Sequence, residues 1–125
     1  MALGHLSEYR YTVRDREAQL RELIAALAPL IEHVRGKPQF ALVAPKYEAA
    51  LDVARALFSS GFTQEQLSTL GRSVPDIFDR HKEWIPPSVE RKGGSWVEEK
   101  WFAELEAVLQ PALRAAGILC IVGYY

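Results

Sequence analysis

Leu20, Leu23, Ile24, Leu27, Leu30, Ile31 and Val34 recur at intervals of three and four residues. That spacing lines one face of an α-helix and cannot be produced by the two-residue alternation of a half-buried strand. An apolar stripe this broad must be covered by other elements, so one segment already directs the chain toward helix-on-helix packing. Gly36 and Pro38 supply the stop, which ends this helix near Arg35. Pro29 lies inside it, where it removes a backbone hydrogen bond and crowds the carbonyl of Ala25, so the spacing predicts a bend or a division there.

Four further helices follow from the pattern. Pro45 suits a first helical turn, and Tyr47, Ala50, Leu51, Ala54, Leu57 and Phe58 then line one side up to Gly61. Thr63 and Gln66 form a capping box, with Phe62 and Leu67 in the positions of a hydrophobic staple, and Gly71 is expected to end that third helix. Ser73 and Asp76 repeat the box for a fourth, with Val74, Ile77, Phe78 and His81 on its apolar face before Pro86. The fifth starts at Ser95, boxed with Glu98. It would bury Val97, Trp101, Leu105, Val108, Leu109, Ala112, Leu113 and Ala116, carry Pro111 as an interruption and end at Gly117.

Two short apolar runs remain, Phe40 to Ala44 and Ile118 to Val122. Either they pair as a two-stranded ribbon or they lie extended over the open ends of the bundle. The expected architecture is therefore mainly α, a compact bundle of about five helices, with 40–44 and 118–122 as the candidate β pair. With 125 residues, 49% of them hydrophobic and 25% charged, a single domain spanning 1–125 suffices.

Charge and motifs narrow the function. Fifteen Lys and Arg against sixteen Asp and Glu leave a net charge of −1, so no global field draws the chain to nucleic acid or an anionic membrane. No stretch approaches the roughly 20 apolar residues of a spanning helix, and the first residues lack the apolar core of a secretion signal. A cytoplasmic protein without membrane contact is expected, and the single cysteine, Cys120, reads as a buried structural thiol in a reducing compartment.

His5, His33 and His81 are scattered, and the zinc, P-loop, dinucleotide and nucleophile-elbow motifs are missing, so no cofactor, metal or catalytic residue is assigned. "HKE" at His81 to Glu83 has the H-x-E form of a zinc deaminase without the cysteine pair that would complete the site. Asp76, Asp79 and Glu83 share a helix face, but Arg80 and Lys82 stand among them as i+4 and i+3 ion-pair partners, which reads as a solvated face. His81 lies on the apolar side with no nucleophile placed near it.

"TQEQLSTLGRSVPDIFDRHKE", Thr63 to Glu83, resembles the helix-turn-helix of phage-repressor-type regulators. Thr63, Gln64, Glu65 and Leu67 match the first helix, and Gly71 and Ser73 match the turn. The resemblance implies a DNA-binding regulator using 63–84, with Arg72, Arg80, Lys82, Arg91 and Lys92 toward phosphates. The match departs from the pattern in three ways. The first helix is one residue short between Leu67 and Gly71, Arg72 replaces the apolar anchor of the turn, and Pro75, Asp76 and Asp79 oppose donors to bases and phosphates.

All three tryptophans fall between His81 and Trp101. Trp84 and Trp101 fit the apolar faces of the flanking helices, which makes them corner-closing core residues. Trp96 falls off the line of Val97, Trp101 and Leu105, and Arg91 and Lys92 precede it. An aromatic ringed by basic residues is the composition of an interface hot spot. The leading expectation is a small protein-binding module, such as an inhibitor or immunity-type partner of a toxin or enzyme, or an adaptor. Its contact residues would be Trp96, Arg91, Lys92, Arg80 and Lys82. A homodimer through Tyr124 and Tyr125 or an unburied helix face is a further reading.

Overall fold

Thr12 opens the first helix: its hydroxyl accepts the Asp15 N–H at 3.1 Å while the Asp15 carboxylate accepts the Thr12 N–H at 2.9 Å. This reciprocal cap satisfies two of the donors that a helix start leaves unpaired. The computed structural model describes residues 11–78, 88–90 and 96–122, with the backbone alone for 88–90, 96 and 98.

Helix α1 spans Val13–Val34, a 3₁₀ turn spans Pro38–Phe40, α2 spans Ala44–Ser60 and α3 spans Gln64–Arg72. Strands β1, Ser88–Glu90, and β2, Trp96–Glu98, precede α4, Lys100–Leu119. Helix α1 is central and packs on α4 and α2, while α3 packs mainly on α4. The core is the stripe read from the sequence, Leu20, Leu23, Leu27, Leu30, Ile31 and Val34, meeting Tyr47, Ala50, Ala54 and Leu57 from α2 and Leu105, Leu109, Ala112 and Ala116 from α4.

Neither internal proline ends its helix. Pro29 and Pro111 both lie on exposed faces, and so do Ala25 and Ala107, the residues four positions earlier. The carbonyls left without a donor there can turn to water, which makes the lost bond tolerable. Gly36 and Gly61, with φ of 73° and 94°, follow α1 and α2 in the left-handed region, where a side chain would be strained.

Several expectations require correction. Helices number four among the described residues. Gly71 does not stop α3 but lies inside it, where a Cβ would sit 2.4 Å from the Ala116 carbonyl oxygen and 2.6 Å from Cys120 Sγ. This glycine is a packing device at a close α3–α4 crossing. Ser73 is the C-cap of α3, its hydroxyl donating to the Leu70 carbonyl at 2.7 Å. The Ser73–Asp76 box does not form, and no helix begins there, because Asp76 Oδ1 instead accepts the Phe78 N–H at 3.1 Å within a turn.

The expected pairing of 40–44 with 118–122 does not form. Phe40 belongs to the 3₁₀ turn and Ala44 to α2, while Ile118 and Leu119 complete α4 beyond Gly117. The observed ribbon lies elsewhere: β1 runs antiparallel to β2, with Ser88 opposite Glu98, Val89 opposite Val97 and Glu90 opposite Trp96. Trp96 is therefore a strand residue, not the first residue of a helix, and Glu98 precedes α4 rather than capping it. Glu99 occupies the N-cap without a side-chain cap bond.

Candidate functional site

The first region that gathers chemistry is a notch at the start of α1. Arg16, only 4% exposed, reaches the end of α4 and the start of α3 at once. Its Nη1 donates to Gln19 Oε1 and to the Ile118 carbonyl, each at 2.9 Å. Its Nη2 donates to Gln64 Oε1 at 2.6 Å and to the Ile121 carbonyl. The Tyr11 ring centroid lies 4.6 Å from the guanidinium carbon, close enough for a cation–π contribution. Gln64 continues the network by donating to the Leu119 carbonyl at 2.9 Å and to Ser68 Oγ at 3.0 Å.

These four acceptors of Arg16 are neutral oxygens, and two of them are carbonyls, Ile118 in the last turn of α4 and Ile121 just beyond it. A helix C-terminus leaves its last carbonyls unpaired and carries partial negative charge, so a cation placed there is compensated without a carboxylate. Burial pushes the guanidinium pKa down, which leaves it protonated all the same. The arrangement has the chemistry of a joint: both terminal nitrogens of Arg16 are engaged within the fold.

The second region is an aromatic corner at the start of α4. Trp101, expected in the core, is 47% exposed, and Phe102 is buried in its place at 2%. Phe102, Leu105, Leu109, Ala112, Ala116 and Leu119 form the inward stripe. Trp101, one residue before Phe102, falls at its edge. Phe78, half-buried, backs both rings, 5.1 Å from Phe102 edge-on and 6.4 Å from Trp101, and the two rings of α4 are 6.1 Å apart and nearly perpendicular. The indole N–H donates to the Glu99 carboxylate. Beside it Lys100 makes an exposed i, i+4 ion pair with Glu104 at 3.8 Å, a contact that solvent screens.

A third feature is an open groove of about 370 Å³ between α2 and α3, with Val53, Leu57 and Leu70 against Glu65, Gln66, Thr69 and Ser73. The sequence carries no signal for it, since grooves arise from how two helices diverge. Of the two other histidine and cysteine candidates, His33 is half-buried, and burial followed by the nearby Lys37 lowers its pKa against the opposing pull of Glu104. Cys120 is half-buried, its Sγ 3.5 Å from the Ser68 carbonyl as a weak thiol donor at the α3–α4 seam.

Among the described residues no group of three His, Cys, Asp or Glu side chains converges as for a metal ion. No described helix is long and apolar enough to cross a membrane. Arg80, Lys82, Arg91 and Lys92, together with His81 and Trp84, lie outside the described residues, and Trp96 is described by its backbone alone. The helix-turn-helix resemblance retains its first helix, α3, with the Thr63–Gln66 box formed as expected. Its second helix does not start at Ser73, where the chain runs in turns and bends to Phe78.

Arg16 escaped the sequence reading although a signal existed. Extending the α1 stripe back by four residues from Leu20 and Leu23 lands on Arg16 and Gln19, the two buried polar residues of the helix. No family model matches the chain, and no match is found among curated proteins or among solved structures.

Proposed function

We propose that the chain is a small helical protein-binding module working in the cytoplasm, an inhibitor or immunity-type partner of a toxin or enzyme, or an adaptor. Its contact surface is the corner that carries Trp101 and Trp96, with Arg91 and Lys92 in the connecting segment and Arg80 and Lys82 just before it. The observation that supports this reading is the half-exposed Trp101 indole backed by Phe78 and Phe102. An aromatic side chain already held against a ring pair loses little freedom on docking and offers a large apolar area, the properties that concentrate binding energy in tryptophan at interface centres. The partner chemistry that fits is a folded protein presenting an apolar pocket edged by carboxylates, complementary in charge to Arg91 and Lys92 of the same stretch of sequence.

The test is capture of partners by the full chain from its source lysate, with and without nuclease, comparing wild type with Trp101→Leu and with Arg91→Glu/Lys92→Glu. A protein retained stoichiometrically through nuclease, and weakened about tenfold or more by either variant, is the expected result. Retention of nucleic acid alone, lost at moderate salt, overturns the reading. It would favour instead a DNA-binding regulator that uses α3 and the segment to Trp84.

A further inference from the structure

We draw no further inference here: the strongest candidate, the groove between α2 and α3 floored by Val53, Leu57 and Leu70, carries no proposal because nothing in the structure shows what covers it.

Discussion

The notch around Arg16 and the corner around Trp101 are opposites. In the notch a charged side chain of α1 is almost wholly enclosed, and its donors are taken up by Gln19, Gln64 and the carbonyls of Ile118 and Ile121. At the corner one of the largest apolar side chains of α4 stands half in water, supported from behind and uncovered in front. Residue type alone would assign these the other way round, with arginine as the contact residue and tryptophan as core. The difference teaches that availability, rather than chemical character, separates a structural group from a candidate binding group: Arg16 is spent inside the fold, and Trp101 is not.

Four substitutions and a pH profile can break or sharpen that contrast. The largest effect is expected at the seam beneath the notch. Gly71→Ala must push α3 away from Ala116 and Cys120, costing about 3 kcal/mol in urea unfolding; a loss under about 0.5 kcal/mol would mean that the crossing is loose.

Arg16→Leu strips the donors from Gln64 and from the carbonyls of Ile118 and Ile121. It is expected to destabilise by about 2 kcal/mol, and to be strongly non-additive with Gln64→Ala. Additive effects of the two changes would reduce the notch to separate contacts.

Thr63→Ala removes the hydroxyl that accepts the Gln66 N–H at 3.2 Å. A loss of about 1 kcal/mol in thermal or urea unfolding is expected from the missing cap.

Trp101→Leu keeps the apolar inner part of the side chain and should cost less than about 1 kcal/mol in stability while weakening partner binding about tenfold. A variant that unfolds readily instead would place the indole with the core and erase the contrast.

The smallest effect concerns His33. Because burial lowers its pKa in the fold, its contribution is present above the unfolded value, near 6.5, and is lost as pH falls through the lower folded value. His33→Gln should therefore flatten the stability profile on the acid side of pH 6.5, leaving neutral pH unchanged. An unaltered acid limb would assign that dependence to other groups.

Much of the fold was legible because long apolar stripes carry their own redundancy. The α1 stripe and the inward face of α2 were read residue by residue, although Phe58, placed with that face, stands exposed beneath the Arg21 guanidinium. Local caps were read less evenly. Thr63 with Gln66 held, whereas Ser73 with Asp76 satisfied the same spacing and formed no helix, because Ser73 was already engaged in closing α3. A capping box offers a few hydrogen bonds and cannot override a neighbouring helix end that claims the same residue.

The register of α4 shows a second limit. Extending the stripe back from Leu105 by fours, through Trp101 to Val97, places Trp101 in the core and leaves Phe102, three before Leu105, unassigned. A β-ribbon with Val89 opposite Val97 occupies the chain just before the helix, a hairpin spacing whose five intervening residues include Gly93 and Gly94, which read equally as the corner before a helix. Gly71 failed for the opposite reason. A glycine near a helix end signals a stop in isolation, while here its missing Cβ serves an approach by residues more than forty positions away.

The central helix takes its broadest partner from the far end of the chain, since α1 packs most extensively on α4 and Arg16 closes onto Ile118 and Ile121. During synthesis α1 consequently emerges with apolar surface uncovered, and α2 can shield only part of it. Core formation has to wait until α4 has been translated, which makes the nascent chain dependent on late, long-range closure despite its helical content. Ribosome-bound chains exposing residues only up to Glu99 should remain open to protease, and those carrying α4 through Leu119 clear of the exit tunnel should gain protection in a single step.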